Sequence, residues 1–166
     1  MTNKIRLHSG LNVDPTRLTY RDIYITDIAQ GLSNICRFAG QINQFYSVAS
    51  HSLLVTSLLR AKHTDTRTQL YGLLHDASEA YLVDIPSPFK HKLPQYLKWE
   101  ARANRAVLKA FSLPPMTQEQ ARLVKQADID ALEIEKEVLF DGIGNLNIGN
   151  TRAKFLAKFA ELYRYE

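Results

Sequence analysis

The chain is expected to be an all-α bundle with a small irregular or hairpin segment at its N-terminus. Three observations predict this. Apolar residues recur at intervals of three and four through most of the 166 residues, the spacing that lines one face of a helix. Capping residues precede these stretches, and proline or glycine follows several of them. Strand-like composition is confined to the first part of the chain, where a β-branched stretch lies near Ile23-Tyr-Ile25.

Residues 1–24 read as irregular or as a short hairpin, with Gly10 and Asp14-Pro15 as turn residues. Thr26-Asp27 is placed to cap a first helix carrying Ile28, Leu32 and Ile35. Gly40 through Phe45 reads as a loop. Ser47 is the expected cap of a second helix, in which Val48, Leu54, Val55, Leu58 and Leu59 fall largely on one side and which contains His51. Residues 67–78 form a third helix with Leu70, Leu73, Leu74 and Ala77 inward. The chain then breaks at Ile85-Pro-Ser-Pro-Phe-Lys90, where two prolines predict an extended, rigid segment. A helix from about Gln95 to Phe111 carries Trp99, Ala103, Ala106, Val107 and Ala110, and Pro114-Pro115 stops it. Thr117-x-x-Gln120 has the form of a capping box. It opens a long helix to about Phe140, with Val124, Ala127, Ala131, Ile134 and Val138 as its apolar stripe and Gly142 and Gly144 beyond its end. A last helix, about Thr151 to Tyr163, presents Phe155, Leu156, Phe159 and Leu162.

The composition is that of an ordinary globular chain, with 45% apolar and 23% charged residues. Its length suits one domain over residues 1–166. No apolar run approaches the roughly 20 residues that cross a bilayer, so no membrane association is expected. The N-terminus lacks an apolar signal region. One cysteine, Cys36, leaves no internal disulfide, fits a reducing cytoplasm and reads as a small core residue. The net charge of +4 fits nucleic acid and phosphorylated small molecules equally. The basic residues are scattered in sequence, with no block of like charge, so nucleic acid is not the expected partner.

His75 and Asp76 are adjacent at the end of the apolar run that begins at Leu70. His51 lies upstream and Asp128 downstream. Two imidazoles and two carboxylates make a mixed nitrogen and oxygen donor set, suited to Mn, Fe, Co, Ni or Zn. Four protein ligands leave positions for water and a phosphate oxygen, which is phosphohydrolase chemistry. Periodicity alone does not separate Asp128 from Asp130, since both flank the apolar stripe of the long helix. Glu79 lies three residues after Asp76, on the same face if the helix continues. There it would orient the attacking water or protonate the leaving oxygen. Asp84 precedes the Pro-Ser-Pro turn, to serve the sugar or the leaving group, or to shape the turn. Phe38 and Pro88 offer apolar surface to a base or to ordinary packing. His63 and His91 lie in polar loops and are expected to be exposed.

Five segments carry a family likeness: Ile35-Cys-Arg-Phe38, Tyr46-Ser-Val-Ala-Ser-His-Ser52, Leu73-Leu-His-Asp-Ala-Ser-Glu-Ala80, Asp84-Ile-Pro-Ser-Pro-Phe-Lys90 and Val124-Lys-Gln-Ala-Asp128. Together they resemble the HD-domain metal-dependent phosphohydrolases, over about Ile25 to Phe140. The branch they resemble holds 5′-deoxynucleotidases and phage deoxynucleotide hydrolases. The resemblance implies His51, His75, Asp76 and Asp128 as ligands of a divalent ion (Co, Mn or Zn, with Mg admissible), and so selects Asp128. It implies a catalytic Glu79, with Arg37, Lys90 and Lys125 on the phosphates. The substrate it implies is a 2′-deoxynucleotide. The compact chain and the Phe45-Tyr-Ser-Val-Ala start of the second helix look most like phage enzymes that cleave dATP to deoxyadenosine and triphosphate. A 5′-deoxynucleotidase acting on monophosphates is the alternative, and an inactive fold that binds nucleotide or nucleic acid is a third. Members of this branch self-associate, which implies a homo-oligomer, dimer or hexamer, in the cytoplasm (that of the host if phage-encoded).

Overall fold

Eight α-helices follow a two-stranded hairpin among the residues that the computed structural model describes, 3–144, 146, 149 and 151–164. β1 (Ile5–Arg6) and β2 (Asn12–Val13) are antiparallel, with Ile5 opposite Val13. Gly10 turns between them at a φ of +93°, where a side chain would be strained. The hairpin is tied to the bundle by a buried carboxylate, because Asp27 Oδ1 accepts from the Ser9 amide at 2.7 Å. Asp27 is therefore not the cap of α1 (Ile25–Asn34): Tyr24 holds that position, and Asp27 sits one turn in, near the positive end of the helix. Ile23 is buried ahead of it, and Ile25 opens the helix.

Ser47 caps α2 (Val48–Ala61) as expected, accepting from the Ser50 amide at 3.1 Å. A bridge between Cys36 and Ser47 closes the preceding loop, and it leaves Cys36 half-buried rather than in the core. Asp65 caps α3 (Thr66–Leu74) through the Thr68 amide at 2.9 Å. α2 and α3 approach closely at Gly72, where a β-carbon would overlap the Leu59 side chain.

α3 stops at Leu74, earlier than the spacing predicts. Residues 75–78 are a tight turn, with the Ala77 amide on the Leu74 carbonyl at 3.0 Å and the Glu79 amide on that of Asp76 at 2.9 Å. α4 (Glu79–Leu82) restarts the helix and lies against α1, where Gly31 leaves room for Ala80. The Pro86-Ser-Pro88 segment also departs from expectation. Pro86 is extended, but Ser87–Lys90 forms the one-turn helix α5. Pro88 falls in its first turn, where the missing amide hydrogen costs nothing.

α6 (Pro94–Ala110) buries Tyr96, Ala103, Ala106 and Val107, and the Tyr96 hydroxyl donates to the Val83 carbonyl at 2.8 Å. Trp99 is only half-buried. α7 (Gln118–Leu139) has the expected Thr117–Gln120 capping box. Its inward stripe runs Val124, Ala127, Ala131, Glu135 and Leu139, not through Ile134 and Val138. α8 (Thr151–Tyr163) buries Phe155, Phe159 and Leu162 and partly covers Leu156. The core joins Ile28 and Leu32 of α1 to Val55 and Leu59 of α2, Leu70 and Leu73 of α3, and Phe155 of α8. Among the described residues no helix is long and apolar enough to cross a membrane.

Candidate metal centre

His51 lies in α2, fully buried, facing the end of α3. Its Nδ1 is 2.7 Å from Glu135 Oε1. His75, at the end of α3, directs Nδ1 at the Gly72 carbonyl oxygen, 2.8 Å away. A carbonyl only accepts, so Nδ1 of His75 carries the hydrogen and Nε2 of the neutral ring is a bare lone pair. An ionised Glu135 imposes the same tautomer on His51. Carbonyl and carboxylate partners of this kind orient metal-ligating histidines.

The two Nε2 atoms face each other at 3.3 Å. Asp76 Oδ2 stands 3.1 Å from the His75 Nε2 and 3.8 Å from that of His51. Asp128 Oδ1 reverses the order, 3.1 Å from His51 and 3.8 Å from His75. Donors bound at about 2.0–2.2 Å to one ion stand roughly 3–3.8 Å apart at ordinary coordination angles. These separations fit that range. Facing lone pairs and carboxylates repel unless a positive charge lies among them. His51, His75 and Asp76 thus form a cluster consistent with a metal site; Asp128 lies against both imidazoles but outside this group of three mutually close donors.

The electrostatics follow from this crowding. Burial opposes charge on His75, but the Asp76 carboxylate outweighs it and raises the imidazole above its usual range. Asp76 is likewise pushed upward by burial and pulled well below the carboxylate range by His75. Asp128 is held low against its burial by the His51 hydrogen bond, the His75 charge and Lys125, whose Nζ is 2.8 Å away. Asp130 is turned elsewhere, to Lys62 at 2.7 Å and Gln126 at 2.8 Å, so the geometry separates the two aspartates that periodicity left open.

Glu79 is buried at the start of α4. One oxygen meets Lys90 Nζ at 3.4 Å, and the other, Oε2, has no hydrogen-bond partner among the described residues. Burial, then the charges of Asp76 and Asp84, push its carboxyl up to about 9. Lys90 also donates to Glu100 Oε1 at 2.7 Å, so α5 and α6 both hold it. Burial works against the Lys90 charge, but the Glu100 hydrogen bond and the Glu79 charge raise it. Arg37 is 13% exposed and gives Nε and one terminal nitrogen to Glu135 Oε2, at 3.1 and 2.9 Å. It therefore connects to His51 through a shared carboxylate. Asp84 is half-buried, raised by burial and pulled back by Arg37. Phe38 packs edge-on against Phe140 at 5.2 Å under the Arg37 guanidinium. Pro88 is exposed on α5, and His63 and His91 are exposed as expected.

Two contributors are absent from the sequence expectations. Glu135 is fully buried and links Arg37 to His51. The signal for it was present, since it follows Asp128 by two helical turns and continues the Val124, Ala127, Ala131 stripe. A charged residue at a core position is the mark of a buried pair. Glu100 carried no such signal, because its partner Lys90 lies across the α5–α6 junction.

No protein-family model matches the chain. It is 38% identical over 135 residues to the uncharacterized protein YfdR of Escherichia coli (strain K12), covering 81% of this chain and 71% of that protein. It is 37% identical over 138 residues to the uncharacterized protein RCAP_rcc00048 of Rhodobacter capsulatus, covering 80% of this chain and 70% of its relative. At these levels of identity and coverage, the chain belongs to the same family as YfdR and RCAP_rcc00048.

Proposed function

We propose that the protein is an HD-type, metal-dependent phosphohydrolase of 2′-deoxynucleotides. The observation that carries this reading is the pair of imidazoles whose Nε2 atoms face each other at 3.3 Å between two carboxylates. His51, His75, Asp76 and Asp128 would hold a divalent ion such as Co, Mn, Zn or Mg. A bound ion supplies Lewis acidity toward a phosphoryl oxygen and lowers the pKa of a coordinated water.

The rest of the work falls to the chain. Glu135 and the Gly72 carbonyl hold the two rings in the ligating tautomer. Glu79 has a buried oxygen without a partner among the described residues, and burial with the charges of Asp76 and Asp84 favours a proton on its carboxyl. It donates that proton to the leaving 5′-oxygen of the nucleoside. Lys90 holds the opposite oxygen and fixes the carboxyl's direction. Arg37, Lys90 and Lys125 receive the phosphates, and Phe38, Asp84 and Pro88 border the sugar and base.

The resemblance points to dATP, cleaved to deoxyadenosine and triphosphate. One observation favours a second reading, a 5′-deoxynucleotidase acting on monophosphates. Arg37 is engaged by Glu135, Lys90 by Glu100, and Lys125 by Asp128, which leaves little uncompensated positive charge for a triphosphate. Chromatographic product analysis on dNTPs and dNMPs, with and without a chelator, separates the readings. Tripolyphosphate from dATP supports the first and orthophosphate from dNMPs alone the second. Unchanged substrate with every metal would leave only a nucleotide-binding fold. We also propose self-association, supported by exposed apolar residues such as Phe45, Phe89 and Ile143, and light scattering tests it.

A further inference from the structure

α6 carries a second feature, on the face turned away from the core. Lys98, Arg102, Arg105 and Lys109 are spaced by four, three and four residues, so they share one side of the helix. All four are exposed, and none forms an ion pair among the described residues. From Lys98 to Lys109 the stripe runs about 16 Å. Two adjoining depressions lie along it and share Arg102 and Arg105. One, of about 400 Å³, is bordered by Leu18, Thr19, Tyr20, Ala106 and Lys109. The other, of about 780 Å³, is bordered by Thr16, Arg17, Gln95, Lys98 and Trp99. No acidic residue borders either among the described residues; Arg17, at the edge of the second, pairs with Asp14 at 3.8 Å. Each depression has an aromatic wall: Trp99 is half-buried, and Tyr20 is 39% exposed with Lys109 Nζ 4.6 Å from its ring centre.

We propose that this face binds single-stranded nucleic acid. Charge complementarity requires an anion, and the form of the site selects an extended one. A compact nucleotide is gripped by cations converging on one pocket, whereas these cations are set at helical-turn intervals along a line. A line of cations beside flat aromatic side chains tracks a phosphate backbone and stacks its bases, with site sizes that begin at about four nucleotides. Stacking needs unpaired bases, which separates a single strand from a duplex. The basic residues are scattered in sequence, and it is the pitch of α6, with the turn at Pro15–Arg17 packed beside it, that gathers them.

The chain's one tryptophan, Trp99, lies in the second depression and reports on it directly. The test is a fluorescence titration of the whole protein with a thymidine oligomer of about 12 nucleotides, in chelator so that no turnover occurs. Saturable quenching is expected, with a log–log salt dependence near −3, from four cations at about −0.7 each. Arg102→Glu combined with Arg105→Glu is expected to weaken binding about tenfold or more, with phosphohydrolase turnover unchanged. Trp99→Leu, followed by anisotropy of a labelled oligomer, is expected to weaken it several-fold through lost stacking. Equal affinity for a duplex of the same length, or equal quenching by inorganic tripolyphosphate, overturns the proposal. So does unchanged binding in the charge-reversed protein. If that variant does not fold, a salt slope near zero for the wild-type protein overturns it equally.

Discussion

The cluster at the ends of α2 and α3 and the outer face of α6 treat charge in opposite ways. At the cluster the two cations shielded from solvent are committed, Arg37 to Glu135 and Lys90 to Glu100. On α6, Lys98, Arg102, Arg105 and Lys109 stand in solvent with no ion pair among the described residues. The difference is one of dielectric surroundings. A buried charge left alone costs several kcal/mol, so the fold must supply its partner. An exposed charge costs little, so folding places no demand on a partner. Substitutions in the first region therefore disturb stability and chemistry together, and substitutions in the second disturb binding alone.

The largest expected break is at the cluster itself. Asp76→Ala should lose both bound metal and turnover, measured by elemental analysis and product release. Glu79→Ala should keep its metal and lose about 10²–10⁴ in rate. A fully active Glu79 variant would remove its assigned role. Next in size is Glu135→Ala, which strands the Arg37 charge and frees the His51 ring. Urea unfolding should show a loss of about 3–5 kcal/mol.

Acidity sharpens the contrast further. The Glu79 carboxyl titrates near 4.5 when unfolded and is pushed up to about 9 when folded, so between these values the folded state holds a proton that the unfolded state has released. Stability of the metal-free protein should therefore fall as pH rises through that window. Glu79→Gln should flatten the slope, and an unchanged slope would show that another group controls it. Gly72→Ala should cost about 1–3 kcal/mol, read from denaturant midpoints, because the added methyl overlaps Leu59 and separates α2 from α3. The smallest effect belongs to α6, where Arg102→Ala should stay within about 0.5 kcal/mol of the parent.

The sequence revealed those parts of the fold that depend on local rules. Ser47 and Thr117 cap their helices through their own side chains, and α8 buries the phenylalanines that its spacing marks. Two of the expectations that did not hold involve a partner distant in sequence. Asp27 looks like a cap, but its carboxylate is taken by Ser9. Apolar spacing predicts a stripe of α7 through Ile134 and Val138, while the inward position is Glu135, whose partners lie on other elements. The four proposed ligands were named in the sequence, yet the carboxylate and carbonyl that orient their rings were not. Such partners are set by tertiary approach, and periodicity carries no information about it.

The tight turn over residues 75–78 separates two helices that would otherwise be one. Ala77 and Ser78 within it are almost without solvent contact. A single inserted or deleted residue there would rotate everything downstream by about 100° and carry Glu79 out of reach of Asp76. In the evolution of this family, the stretch should accept exchanges of similar size and refuse any change of length.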